Sequence, residues 1–501
     1  MIPLCAGQFE KKISAIYTSL NPHSLTELFA FYHLYPETLQ GKMAFDRAWE
    51  LINRHRDVPI SALKEISLPE IDIHLFITMI TKQAGTQVPI ISDRMLTMIE
   101  HISSHLHNRK LKGYTCWKKK ELQTLMPEEI DLARALLIHQ FGDDQTNQIR
   151  SYESYLDLMA LQILSTLPKC PTHRQMIDAI SQFIFHDMCF RFPPHSMWAK
   201  DVDLYTFLPS VLDSRHGVCL GVSILYLSLA QRLNLPLEII TPPGHIYVAY
   251  KNPDGSRINI ETTARGIHMP DERYLTINTC KLQERTLKEV IGMNFFNAAS
   301  TEWHKKHYDK ALELYRDAQI YMPDDPLVRL FMGYNYLFLG NETEAKKHLS
   351  YVASHPPRDQ IYFDTSLVDY LEGKTDANAI KAIYEEVNET RDSILDKQSQ
   401  LMKIIEAWPH FREGIFHIAI TYLQLGRNKE GLEWLNQYHQ LDNNNPTVEY
   451  YLGVLGLSRL EYKKASKHIK RCDELLKRRG HHAKALDSLK TQARKCSPFY
   501  Q

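Results

Sequence analysis

Three side chains close together in the chain have the types that acyl transfer on a thiol needs. Cys219 lies in SRHGVCLGVSILYLSLAQRLNLP, His245 in PPGHIYVAY at residues 242–250, and Glu261 in RINIETTARG at 257–266. A free cysteine is a modest nucleophile at neutral pH, because the thiol outweighs the thiolate. A helix N-terminus favours the thiolate through its unpaired N–H groups and its dipole. His245 supplies a base that can form a thiolate–imidazolium pair and later protonate a leaving amine. Glu261 supplies a carboxylate able to hold the imidazole in one orientation. A backbone N–H beside Cys219 can steady the oxyanion that develops on the attacked carbonyl. Gly217 and Gly221 flank the cysteine, permitting a sharp helix entry and close approach of a substrate backbone.

These residues need a helix and a hairpin to place them. From Val222 to Leu233 nearly every face is apolar, which predicts a helix buried on most sides. LEII and IYVAY have the β-branched and aromatic content of strands, NPDG at 252–255 has turn chemistry, and RINIETT completes a hairpin. If the loop is odd in length and centred on 253, paired positions sum to 506. Then 249 faces 257, 247 faces 259 and 245 faces 261, which puts His245 and Glu261 on one face. A loop of even length puts them on opposite faces. Asn259 is the alternative orienting group, since an amide can orient a histidine too. A helix followed by antiparallel strands argues for an α+β core over residues 151–284.

Residues 1–150 read as helical, with LTELFAFYHL and AFDRAWELINRH spacing apolar residues three and four apart and prolines at 22, 36, 59, 69 and 89. That region carries no chemical motif. From about 285 the chain is all helical and repeats with a period of 34 residues. Ala311 and Ala345, Ala299 and Gly333, Tyr315 and Leu349 keep that spacing, as do Gly431 and Ala465, Ala419 and Gly453, Leu435 and Ile469. This is the tetratricopeptide period, in which small residues sit where paired helices cross and large ones fill the gaps. Gly340 and Gly426 occupy the turn, where Lys306 and Leu460 stand in the other two copies. Residues 285–400 hold repeats, the stretch 359–400 being a worn one that includes Ala379, and 401–501 hold further repeats. The basic helix KASKHIKRCDELLKRRG reads as the cap.

At 501 residues the chain is long enough for two to four domains. Lys+Arg and Asp+Glu number 59 each, so net charge gives no reason to expect nucleic acid or an anionic membrane as partner. The eight cysteines form no CxxC pair, and their sparseness suits a reducing, cytoplasmic compartment. MIPLCAGQFEKK is too short in apolar residues for a signal peptide, and no run is long enough to span a membrane. The remaining cysteines read as structural or incidental. Histidines 173, 186, 195, 216 and 268 show no HxxxH or HxH pairing, so no metal and no other cofactor is expected.

The stretch LPSVLDSRHGVCLGVSILYLSLAQRLNLPLEIITPPGHIYVAY followed by INIETTARG resembles the transglutaminase-like superfamily, whose fold has a papain-type core. It is most similar to the bacterial SirB family, which also places tetratricopeptide-like repeats behind the core. The resemblance covers roughly residues 155–325. It implies that Cys219 is the nucleophile and His245 the base. Glu261 falls where the superfamily usually has aspartate. Many SirB-type members lack the cysteine, which this chain retains. The fold class expected is a papain/transglutaminase-like α+β core between an N-terminal helical region and a C-terminal tetratricopeptide-type α-solenoid. The function expected is a thiol enzyme acting on amide or acyl bonds, with the repeats binding a protein or peptide. The alternative is a scaffold built on a relic core.

Overall fold

The computed structural model describes residues 3–56, 73–193, 203–385, 387 and 390–496, with side chains from residue 8 and, after the first gap, from residue 77. Pro59, Pro69, His195 and the Cys5 side chain lie outside the described residues. The chain is mostly helical. Its strands β1 (Glu238–Thr241), β2 (Tyr247–Lys251), β3 (Arg257–Ile260) and β4 (Gln283–Arg285) form one small sheet in the order β3–β2–β1–β4. No helix among the described residues is long and apolar enough to cross a membrane. Two compact units divide the chain: Met1–Ile239, Tyr247–His268 and Thr286–Ile291 in the first; Ile240–Ile246, Met269–Arg285 and Gly292–Gln501 in the second.

The first unit is built round two buried helices. The helix Thr146–Thr166 is enclosed along most of its length, and it runs through position 150, where the sequence suggested a division. The second helix, Cys219–Arg232, buries every residue from Leu220 to Ala230, as its unbroken apolar run predicts. Two of its polar side chains are partnered inside the unit, whereas the buried Ser228 Oγ has no hydrogen-bond partner among the described residues. Tyr226 Oη donates to the Ile177 carbonyl at 3.1 Å, and Gln231 Nε2 donates to the Ile130 carbonyl at 2.8 Å. The hairpin β2–β3 pairs Val248 with Ile260, Ala249 with Asn259, Tyr250 with Ile258 and Lys251 with Arg257. The expected parity is therefore present, but the register is two residues away from the one anticipated: Ala249 faces Asn259 rather than Arg257. The loop chemistry explains the shift. Asp254 Oδ1 accepts from the Ser256 N–H at 2.8 Å and its hydroxyl at 2.6 Å, and Asn252 N–H donates to the Ser256 carbonyl at 2.8 Å. Ser256 is drawn into the turn, and β3 begins at Arg257.

The second unit carries the repeats. Helix hairpins form from Leu287–His304 with Tyr308–Tyr321, Pro326–Phe338 with Glu342–Ser354, Arg412–Gln424 with Asn428–Leu441, and Pro446–Ser458 with Tyr462–Lys477. The worn repeat is a pair of short helices, Ser366–Leu371 and Ala377–Ile383, with Ala379 buried. The small positions of the 34-residue pattern are closely packed: a Cβ on Gly333 would lie 2.8 Å from Leu349 Cδ2, and one on Gly453 2.8 Å from Ile469 Cγ1. Asp325 and Asn445 cap helices that open with Pro326 and Pro446, each side chain accepting from two backbone N–H groups. The basic helix Tyr462–Lys477 is not the cap. It completes the last hairpin, and a further helix, Lys484–Cys496, covers its apolar face with Leu486, Leu489 and Ala493.

All four turn positions of the repeat share the left-handed backbone, with φ of 63° at Lys306, 80° at Gly340, 71° at Gly426 and 61° at Leu460. Only glycine adopts this region without penalty. No atom lies within 4 Å of a Cβ built on Gly340, so its replacement is felt by the backbone alone. Gly340→Ala is expected to lower the stability of the repeats by about 1 kcal/mol, and Leu460→Gly to raise it by up to about 1 kcal/mol. Urea midpoints of the two variants should move in opposite directions; equal midpoints would show that these turns carry no strain.

Candidate active site

Cys219 is the first residue of its 14-residue helix. It is half-buried and free, and its sulfur makes no hydrogen bond among the described residues. Val218, the residue that enters the helix, provides no side-chain cap. Its own N–H donates to the Tyr205 carbonyl at 3.2 Å. The N–H groups of Cys219 and Leu220 have no acceptor within the helix, as at any helix start. Gly221 is needed for packing: a Cβ there would lie 2.2 Å from the Tyr205 carbonyl oxygen and 2.8 Å from Val211 Cγ2. The close approach expected of a substrate backbone is thus made by the protein's own chain.

The other cysteines have different settings. Burial raises the thiol pKa of Cys116 and Cys280, and pushes that of Cys472 up to about 12. Cys170, Cys189 and Cys496 are exposed.

Glu261 directly follows β3 and is buried, with 3% of its surface accessible. Its Oε1 accepts from the Thr263 N–H at 3.1 Å and the Thr263 hydroxyl at 2.6 Å, so the carboxylate caps the short turn Thr262–Ala264. Within this unit the glutamate turn and the cysteine helix are tied together. Ser223, one helical turn after Cys219 and on the same face, lies with its Oγ 3.0 Å from Thr262 Oγ1. Neither Ser223 nor Thr262 is singled out by the sequence motifs, although each is a small hydroxyl residue beside one. Asn259, the alternative orienting group, is buried on β3, and its N–H donates to His268 Nδ1 at 3.0 Å.

His245 belongs to the second unit. It follows the turn Pro242–Gly244, where Gly244 has φ 70°, and its N–H donates to the Pro242 carbonyl at 3.0 Å. Its ring is half-buried and stacks on Tyr274, with centroids 5.6 Å apart and planes inclined by 20°. Also in this unit, a cavity of about 1060 Å³ is lined by Tyr351, His355, Arg358, Tyr362, Arg412 and Arg479, among others. Arg412 is held by Asp369 and Asp442, while Arg358 and Arg479 are exposed.

Charges that the sequence motifs do not reveal anchor the far end of the cysteine helix. Arg232 Nε donates to Asp157 Oδ1 at 2.8 Å, and both side chains are fully buried. Asp157 also pairs with Arg109 and accepts from Ser103 Oγ at 3.0 Å. Alongside it, Arg134 forms a two-pronged pair with Glu153 at 2.7 and 2.6 Å and lies over the rings of Tyr114 and Trp117.

Comparison with known proteins bears on this region. Residues 150–298 match the model of the transglutaminase-like superfamily. The matched transglutaminase-like domain contains Cys219, His245 and Glu261. Mouse F-box only protein 21 is 22% identical over 194 residues, 33% of this chain and 28% of that protein. The chain therefore spans well under a third of that relative's length. Similar solved structures include a thermophilic TPR protein of Thermus thermophilus, with 19% identity, TM-score 0.21, and coverage of 41% of this chain and 98% of that one. The TPR2AB domain of yeast Sti1 gives 15% identity, TM-score 0.22, and coverage of 40% and 85%. A tetratricopeptide repeat protein from Parabacteroides merdae gives 15% identity, TM-score 0.23, and coverage of 41% and 71%.

Removing one partner of a buried ion pair leaves an uncompensated charge and costs about 3–5 kcal/mol. Asp157→Asn should destabilise the first unit by that amount in urea unfolding. Asp178→Asn, which breaks the solvent-exposed Arg174–Asp178 pair, should change stability by less than about 1 kcal/mol. Equal effects would show that the buried cluster does not anchor the helix.

Proposed function

We propose that the protein is a cysteine-dependent enzyme that acts on amide or acyl bonds of a protein or peptide, with Cys219, His245 and Glu261 as its catalytic residues. The observation that carries this reading is the place of Cys219: a half-buried, free thiol opening a helix that no side chain caps, within the stretch similar to transglutaminase-like proteins. His245 takes the thiol proton as the sulfur attacks the carbonyl carbon. First-turn N–H groups stabilise the oxyanion. The imidazolium then protonates the leaving amine, a thioester forms, and water or a second amine resolves it and restores the thiol. Glu261 keeps the ring in its productive orientation. The order of a core followed by repeats supports a SirB-type arrangement in the cytoplasm, in which the repeats recruit the protein substrate or partner. No nucleic acid, membrane or cofactor has a part in this scheme.

A scaffold without catalysis is favoured by two observations. Glu261 Oε1 is engaged in capping its own turn, and the space above Gly221 is filled by the Tyr205 carbonyl. Alkylation by iodoacetamide across pH separates the readings. In the enzyme, Cys219 reacts first, and His245→Ala slows that reaction at neutral pH by about tenfold or more, as loss of the thiolate pair requires. A Cys219 rate equal to those of the exposed Cys170, Cys189 and Cys496, and unmoved by His245→Ala, would leave the scaffold.

A further inference from the structure

We propose that the last tetratricopeptide hairpins hold a zinc ion between His439, Glu449 and His468. This site is independent of the chemistry assigned to Cys219. The three residues come from three successive helices: His439 from Asn428–Leu441, Glu449 from Pro446–Ser458 and His468 from Tyr462–Lys477. Their ligating atoms all lie within 4.8 Å of one another. His439 Nδ1 is 2.5 Å from Glu449 Oε1, and His468 Nδ1 is 2.9 Å from Glu449 Oε2. Zinc bonds of about 2.0–2.1 Å place tetrahedral ligand atoms about 3.3 Å apart, so the two imidazole–carboxylate contacts lengthen by less than about 1 Å and the farthest pair of ligand atoms draws in by at most about 1.5 Å to hold the ion.

Burial and access both fit. The Glu449 side chain is wholly inaccessible, whereas those of His439 and His468 retain 24% and 13% of their surface. A fully buried carboxylate is costly without strong compensation, and a dication supplies it. The cluster also borders a cavity of about 370 Å³, so water or a small anion can reach a fourth coordination position. Lys467 and Lys470 line the same cavity and favour an anion there. Two imidazoles with one carboxylate and one open position suit zinc better than the hard, oxygen-seeking cations. Spacings of 10 and 19 residues between the ligands show no metal motif in the sequence; the repeat geometry alone brings them together. A bound ion joins one hairpin to the next and stiffens the C-terminal repeats.

The test uses the full chain stripped of metal with a chelator. Titration with Zn²⁺ is expected to show one tight equivalent that Glu449→Gln and His468→Gln each weaken by at least tenfold. Zn²⁺ is also expected to raise the unfolding temperature of the parent protein and not that of His468→Gln. His468 is only partly buried, so this variant keeps the experiment decisive if Glu449→Gln fails to fold. Absence of a tight equivalent in the parent chain, or an equivalent kept unchanged in His468→Gln, would overturn the site in favour of a metal-free pair of imidazole–carboxylate hydrogen bonds.

Discussion

The buried pairing of Arg232 with Asp157 is the constraint on which the first unit rests. Two charges removed from water gain from each other only when geometry and further hydrogen bonds are good. Here the carboxylate accepts from Arg232 and Ser103 and pairs with Arg109, so it is fully engaged. The pairing locks the end of the Cys219 helix to the longest buried helix of the unit. Apolar burial along Leu220–Ala230 then fixes the axis between that anchor and the cysteine. A polar cluster at one end of a helix thus determines where a thiol stands at the other.

The second local device is the tie between Ser223 and Thr262. It places the turn that Glu261 caps against the first turns of the cysteine helix. The glutamate has a structural duty in that turn as well as the orienting one proposed for it.

Much of this architecture was legible in the sequence, for identifiable reasons. The 34-residue spacing of small residues was readable because helix crossing leaves no room for a side chain, as Gly333 and Gly453 show. Lys306 and Leu460 could be placed at turns by period alone, despite having the wrong residue type for a left-handed backbone. The buried helix at Cys219 followed from its apolar content. The hairpin register did not follow, because it depends on whether Ser256 is a turn or a strand residue, and a hydrogen bond from its hydroxyl to Asp254 decides that. The C-terminal cap was misplaced because Lys484–Cys496 has only three buried positions and no repeat partner to mark it. The Arg134–Glu153 and Arg232–Asp157 pairs stayed hidden, since charged residues far apart in sequence carry no local pattern.

The contact between Gly221 and the Tyr205 carbonyl has a consequence for how this chain can vary. The main chain of one segment serves as the lid for another, so the fit is between backbones rather than side chains. Tyr205 can be exchanged freely as far as this contact is concerned, because its oxygen belongs to the peptide. Position 221 has no such freedom: even a methyl group would push the first turn of the helix away from the segment packed against it.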